Sequence, residues 1–367
     1  MKIAIVHDWM TSMAGAERVV LEMHKLYPEA DIFTSVYDKH AMPAFEHIDI
    51  KTTWMQKLPF WRFKQQVWAP LRPLAFKMLD LGKYDVVITS DSAEAKNIRV
   101  RRDAVHISYN NTPIRYYWSH YKEYKTDPGF GRLNPIIRLI MPVAVAWLKK
   151  VDYKAAQKVD YFISNSSEIQ RRVMKYYHRN SVVINPPVDV QRFQENTSVK
   201  KRNGYIIAGR QTPYKKFDLA IKACNKLELP LTVVGHGTEH EKLKRMAGET
   251  IKFETNVSDA DMVKLFHEHE AFIFPAEEDF GIVPIEAMAA GMPVVAFAKG
   301  GVVDWMKPGV TGETFPEQTV ESLIKVLKDF SPSDYKKKDL DENVARFTNE
   351  RFQLELKEFV ESVTSNS

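Results

Sequence analysis

The sequence predicts an α/β protein built from two doubly wound, Rossmann-like parallel-sheet domains. Short β-branched runs alternate with amphipathic segments along all 367 residues, the pattern left by parallel strands covered with helices on both faces. A proline pair, Pro186-Pro187, followed by a polar segment over residues 194–203, interrupts that alternation near the middle and marks a linker. With 44% hydrophobic and 27% charged residues, the chain can fill two buried cores and lacks the composition of a disordered tail.

The elements follow in order. In the first half, residues 2–7, 31–36, 85–89, 104–109, 161–165 and 181–185 read as strands, with a first helix over 16–27. In the second half, residues 204–209, 231–234, 251–253, 271–274 and 293–297 read as strands, with helices in the gaps. The predicted organisation is a first domain over 1–187, a hinge over 188–203 and a second domain over 204–345. Two such domains facing each other leave a cleft at the carboxyl ends of their strands, where function is expected. The longest apolar stretch, 136–148, is broken by Arg138 and Pro142 and is shorter than the roughly 20 residues of a membrane-crossing helix. Residues 1–8 read as a strand and not as a signal peptide. A single cysteine, Cys224, suits helix packing in a reducing compartment and excludes a disulfide framework or multi-cysteine metal site. The expected location is cytoplasmic, peripheral on the inner face of the cell membrane.

Charge is divided unevenly. Residues 1–190 hold 28 Lys and Arg against 19 Asp and Glu, whereas residues 191–367 hold 24 against 28. Much of the excess lies between positions 51 and 83, where Lys51, Lys57, Arg62, Lys64, Arg72, Lys77 and Lys83 face only Asp80. Trp54, Phe60, Trp61, Phe63, Trp68 and Phe76 are interleaved with them. Cations meet lipid phosphate while aromatic rings sit at the interface, so this segment, with Lys57, Trp61, Arg62, Lys64 and Trp68, is a candidate for docking on an anionic membrane surface. Its other reading is a solvated face whose aromatics turn inward. No recognised nucleic-acid motif accompanies it, and no nucleic-acid partner is expected.

The most informative stretch runs through Glu277-Glu278-Asp279-Phe280-Gly281-Ile282-Val283-Pro284-Ile285-Glu286 to Gly291 and Pro293. It reads strand, loop, short helix, stop: Pro284 suits a first helical turn, and Gly291 with Pro293 ends the helix. The N–H groups of Gly281, Ile282 and Val283 are then expected to face the cleft and bind a diphosphate, with Gly281 leaving room for close approach. Glu286, placed in the same first turn, suits two vicinal ribose hydroxyls, and Glu278 on the loop would meet the sugar end. Among metal candidates, Asp259-Ala260-Asp261 reads as a helix cap and His267-Glu268-His269 as a solvent-facing trio, so no metal site is expected.

The Glu278-x7-Glu286 spacing within Phe-Gly-x-x-Pro resembles the donor-site signature of family 4 retaining glycosyltransferases of the GT-B fold. The resemblance extends along most of the chain. Gly209-Arg210 with Lys215-Lys216-Phe217-Asp218 looks like the family's Gly-Arg…Lys-Gly-x-Asp element, whose Arg and Lys hold the donor diphosphate; Lys215 takes that role here and Lys216 is the reserve. Gly235-His236-Gly237 matches the Gly-x-Gly turn, and Gly300-Gly301 with Thr311-Gly312 match the closing elements. Gly15-Ala16-Glu17-Arg18 resembles the loop opening the first helix, with Ala14 in place of its first glycine. Asn111-Thr112-Pro113-Ile114-Arg115-Tyr116-Tyr117-Trp118 resembles a His-Thr-Pro-x-Arg-Tyr-x-Trp segment, with Asn111 replacing the histidine; Asn111 can exchange hydrogen bonds but cannot carry a proton.

The resemblance implies transfer of a hexose with retained configuration, closest to mannosyltransferases of O-antigen and surface-polysaccharide assembly that use GDP-mannose. It implies catalytic roles for Glu278, Arg210 and Lys215. Donor contacts would fall on Gly15, Asn111, Gly235, Gly237, Phe280, Gly281, Ile282, Val283 and Glu286, and acceptor contacts on Arg115 and Tyr116. Arg210, Lys215 and a helix N-terminus together would stabilise a departing nucleoside diphosphate, so no cofactor or divalent metal is expected. A polyprenyl-diphosphate-linked glycan acceptor would suit the positive first domain, and residues 346–367 are expected to form a helix packing back on it. Two other readings stay open: a sugar-nucleotide epimerase or phosphorylase of the same architecture, and a glycan-binding protein without turnover.

Overall fold

Alternating strands and helices assemble into two parallel sheets in a computed structural model that describes residues 1–59, 61, 68–126, 128, 131, 134–194 and 201–365. One compact unit combines Met1–Pro187 with Phe352–Ser367, and the other is Val188–Arg351.

Among the described residues, the first unit carries seven strands: β1 (Ile3–His7), β2 (Asp31–Thr34), β3 (Ile50–Thr52), β4 (Val86–Asp91), β5 (Val105–Asn110), β6 (Tyr161–Ser164) and β7 (Val182–Val183). They pair in parallel in the order β3-β2-β1-β4-β5-β6-β7. β1, β4 and β5 are buried along their whole length, as expected of central strands covered by helices on both faces. The order reverses between β1 and β4, which places His7 beside Ser90 and brings the loops after both strands to one edge. The Gly15–Leu26 helix buries Val19, Val20 and Met23 on this sheet. The terminal Asn349–Thr364 helix adds Phe352, Leu356 and Val360 to the same core, with the Phe352 ring edge-on to Tyr109 at 5.8 Å.

The second unit carries β8 (Tyr205–Ala208), β9 (Leu231–Val234), β10 (Ile251–Glu254), β11 (Ala271–Phe274), β12 (Val294–Phe297) and β13 (Gly312–Phe315). Their parallel order is β10-β9-β8-β11-β12-β13, with the reversal between β8 and β11. Cys224 is buried in the Phe217–Leu227 helix, and burial pushes its thiol up to about 12.

Several expectations change. Part of the expected linker is packed: Val188, Val190 and Phe193 are buried in the second unit's core, and Val190–Gln194 is helical. These three apolar side chains outweigh the polar composition around them; residues 195–200 lie outside the described residues. The expected boundary at 345 falls instead after Arg351, because Phe347 packs into the second core. Three cations of the 51–83 segment find carboxylate partners outside it. Lys51 and Lys83 both pair with Asp31, at 2.6 and 3.1 Å, and Arg72 pairs with Glu94 at 3.1 Å. Trp61 and Trp68 are half-buried against Val36, Met55 and Ala75, and Lys57 is exposed; Arg62 and Lys64 lie outside the described residues. Among the described residues no helix is long and apolar enough to cross a membrane.

Candidate functional site

In the second unit, both chain segments that follow the reversal point carry candidate residues. β8 leads into Gly209 and Arg210, then a short helical turn, Pro213–Lys215, and the Phe217–Leu227 helix. β11 leads into the loop holding Glu278 and then the Ile282–Ala289 helix. The Lys215 ammonium is ion-paired with the Glu278 carboxylate across 63 positions of sequence, both partly buried. Arg210 is exposed on the loop, and its carbonyl accepts the Thr212 N–H at 2.8 Å. Lys216, the reserve candidate, adopts a left-handed conformation (φ 55°) linking the turn to the following helix. Its backbone occupies the place where the resembled motif has glycine, so Lys215 is the lysine whose side chain meets the Glu278 loop.

The glycines here serve loop packing. Gly235 (φ 110°) and Gly237 lie against the loop after β8: a Cβ on either would come within 2.2 Å of the Gly209 carbonyl oxygen or 2.3 Å of that of Gln211. Gln211 Nε2 donates to the Gly235 carbonyl at 2.8 Å and Gln211 Oε1 meets His240 Nδ1 at 2.7 Å, fixing the two loops together. Gly300 and Gly301 likewise let their backbone approach the Glu278 loop, and Gly301 N–H donates to the Glu278 carbonyl at 2.8 Å. Gly281 caps the Ile282–Ala289 helix with φ 94°, and its Cβ direction is filled by the Phe274 and Trp305 rings. The expected clearance for a ligand is therefore not the reason for glycine at 281; left-handed backbone against two aromatic rings is.

Two further placements differ from expectation. With Gly281 as the cap, Ile282 is the first helical residue and Glu286 lies in the second turn, not the first; it is buried. The Phe280 side chain is core, edge-on to Phe347, while its carbonyl accepts the Trp305 Nε1–H at 2.7 Å. Ile282 and Val283 are partly buried against the same core, and their N–H groups are among those a helix start leaves without an intrahelical acceptor. His267 and His269, expected to face solvent, are both buried. His267 Nε2 meets the Phe193 carbonyl at 2.9 Å, and His269 bridges the Leu265 carbonyl and Thr232 Oγ1, each at 2.7 Å. Ser258, not Asp259, caps the Asp259–Glu268 helix, accepting from Asp261 N–H.

The first unit's edge is organised by buried charge. Asp8, after β1, accepts the N–H groups of Ser92, Ala93 and Ala95 at 2.6–2.8 Å. Burial lifts its carboxyl above the usual range, opposed by the His7 imidazole. His7 pairs with Glu17 at 3.5 Å. Burial disfavours the imidazolium, but Glu17 and Asp8 together hold its pKa above the ordinary value. Glu17 also accepts the Ala14 N–H at 3.1 Å, so Gly15 opens a helix whose start is tied to β1. Asp91 is pushed up to about 6 by burial, against the pull of Lys96 and hydrogen bonds from Ser108 and Thr89. Lys96 is fully buried on Asp152 at 2.7 Å, and Asp152 also accepts from Trp118 and Tyr177. Burial, with Lys96 nearby, drops His106 to about 3.

The candidate residues of this unit sit within that network. Asn111 Nδ2 donates to Ser90 Oγ at 3.0 Å. The Tyr116 hydroxyl, assigned to an acceptor, belongs to a partly buried side chain and donates to Glu94 at 2.6 Å beside Tyr117 and Arg72. Arg115 is half-exposed next to it. Sequence reasoning missed Asp8, Glu94, Lys96 and Asp152. The signal for the first of these was available: β1, β4 and β5 each end in a polar pair, His7-Asp8, Ser90-Asp91 and Asn110-Asn111, at the sheet edge where ligand-facing or buried polar groups collect.

Residues 189–347 match the family model described as glycosyl transferases group 1. A D-inositol 3-phosphate glycosyltransferase of Streptomyces avermitilis is 27% identical over 205 residues, covering 47% of this chain and 44% of that protein. A GDP-mannose-dependent monoacylated alpha-(1-6)-phosphatidylinositol monomannoside mannosyltransferase of Corynebacterium glutamicum is 29% identical over 168 residues, 38% of this chain and 44% of that one. The chain spans about half the length of the curated relatives it matches. The crystal structure of Anabaena HepE in complex with UDP superposes with a TM-score of 0.70 at 17% identity, over 99% of this chain and 100% of that one. The fold is GT-B.

Proposed function

We propose that this chain is a retaining, metal-independent glycosyltransferase that moves a hexose, best matched by mannose from GDP-mannose, onto a lipid-linked glycan acceptor in surface-polysaccharide assembly. The observation that supports it most is the meeting of Lys215 and Glu278 at the reversal between β8 and β11, next to the chain leading into the Ile282–Ala289 helix. A nucleotide sugar arriving there would exchange its diphosphate for Glu278 as the partner of Lys215. Arg210 and the N–H groups of Ile282 and Val283 add donors around the same charge.

In this reading the charge that grows on the leaving diphosphate is met by the Lys215 ammonium, the Arg210 guanidinium and the helix start, which need not reorganise as the bond breaks. Glu278, released from Lys215, positions the sugar, while the buried Glu286 holds the ribose hydroxyls. Asn111 offers hydrogen bonds but no proton, which leaves the donor phosphate to take the acceptor's proton. The match over residues 189–347 and the mannosyltransferase relative support the donor half of this reading. The excess of cations in residues 1–190 supports an anionic, membrane-borne acceptor.

The test is a panel of nucleotide sugars, scored first by thermal stabilisation and then by release of nucleoside diphosphate with acceptor present. GDP-mannose is expected to raise the melting temperature most, through preferential binding to the folded state. Release is expected to depend on acceptor, to survive EDTA and to fall strongly in Glu286→Gln. Donor binding without transfer to any glycan would favour a binding protein instead.

A further inference from the structure

We propose that the Asn134–Ala156 helix is an interfacial anchor that lays its outer face on the surface of an anionic phospholipid bilayer. The helix is apolar on two opposite faces. Val145, Leu148, Ala155 and Ala156 are buried on the inner one. On the other, Ile136, Leu139, Ile140, Val143 and Trp147 are exposed by 60, 79, 53, 77 and 54%. At 100° per residue these five fall within an arc of about 100°, the width of a stripe that a helix ordinarily turns toward a core. Five large apolar side chains in one contiguous row are far more than the scattered exposure normal for a surface.

Charge on the helix identifies the occupant. Lys150 and Lys154 continue the same stripe at its carboxyl end, both exposed. The helix has a single carboxylate, Asp152, and that one is buried against Lys96, Trp118 and Tyr177. The outer face therefore presents hydrocarbon, an indole and cations of one sign. A second copy of this chain would bring the same cations against them, whereas a bilayer of anionic lipid takes up the row of side chains and pairs the lysines with phosphate. Ile136 to Trp147 extends about 16 Å along the helix axis, suited to lying in the interface and too short to span it. Trp147, next to the lysines, is the residue type that settles at headgroup depth.

This anchor is distinct from the basic and aromatic segment at 51–83, whose Trp61 and Trp68 are half-buried, and it stands independently of sugar transfer because its readout is vesicle binding. The experiment floats the full chain with vesicles of phosphatidylglycerol and phosphatidylcholine in equal parts, and with pure phosphatidylcholine. The unaltered protein is expected to bind the mixed vesicles and not the neutral ones. Leu139→Ser with Val143→Ser is expected to weaken binding at least about tenfold, since each loses most of an inserted side chain, with the melting temperature unchanged because both residues are exposed. Lys150→Gln with Lys154→Gln is expected to weaken binding severalfold and flatten its salt dependence. Unchanged binding of the double serine variant, equal binding to neutral vesicles, or no binding at all overturns the proposal. So does self-association in solution that the serine variant abolishes, or a greater loss from neutralising Lys57, Arg62 and Lys64 than from the serine variant.

Discussion

The two sheets reverse their strand order at equivalent places, between β1 and β4 and between β8 and β11, yet their edges use charge in opposite ways. At the first, Asp8, Glu94, Arg72, Lys96 and Asp152 are all buried and already partnered by one another, by tyrosines or by backbone N–H groups. At the second, Arg210 is exposed, and Lys215 and Glu278 are only partly buried. The same architecture thus supports a sealed ionic network in one unit and an accessible one in the other. Burial decides which, because a charge removed from water must be paired for good, whereas one at the margin can trade its partner for a ligand.

The largest expected effect tests the sealed edge. Lys96→Met leaves Asp152 buried without its cation and is expected to cost about 3–5 kcal/mol in urea unfolding; a loss under about 1 kcal/mol would show the network to be dispensable. The accessible edge should behave the other way round. Lys215→Ala is expected to change stability by about 1 kcal/mol or less while lowering transfer from the nucleotide sugar by about a hundredfold or more. A variant that unfolds readily yet turns over normally would erase the contrast.

A smaller effect comes from His106, held at about 3 in the fold against 6.5 in the unfolded chain. Between those values the unfolded chain binds a proton that the folded one refuses, so this residue's contribution to stability is full above 6.5 and is lost as pH falls. The slope is at most about 1.4 kcal/mol per pH unit. Asp91, raised to about 6, runs oppositely, since its folded form keeps a proton that the unfolded form has released. The measurement is therefore a difference: His106→Gln should unfold with a shallower loss of stability toward acid than the unaltered protein, and an unchanged slope would contradict the assignment. The smallest effect is at Lys216, whose left-handed backbone strains a side chain that glycine lacks. Lys216→Gly is expected to stabilise the second unit by about 0.5 kcal/mol, read from its unfolding midpoint.

Legibility in the sequence followed burial as well. The runs at 231–234 and 271–274 match the strand bounds, because strands buried on both faces are short runs of apolar and β-branched residues. Ile50–Thr52 and Gly312–Phe315 were missed: each is short, lies at a sheet edge and is only partly buried, so it carries neither alternation nor an apolar run. At the second unit's site, the order of Arg210, Lys215, Glu278 and Glu286 was readable from motif spacing. The roles of the glycines were not, because spacing does not say whether a missing Cβ makes room for a ligand or for Gly209 and Gln211. The sealed network escaped notice because Glu94 and Lys96 look, in sequence, like any solvated turn. The outer face of the Asn134–Ala156 helix escaped it too: Arg138 and Pro142 made an apolar stretch seem interrupted, yet Pro142 lies within the helix.

The claim on which the rest depends is that the second unit's edge receives a diphosphate. Soaking crystals with GDP-mannose and locating its two phosphorus atoms tests it most directly. The account predicts phosphate oxygens within hydrogen-bond distance of Lys215 Nζ, Arg210 and the N–H groups of Ile282 and Val283, with Glu278 turned away from Lys215. A diphosphate bound elsewhere, with the Lys215–Glu278 pair intact, would contradict it.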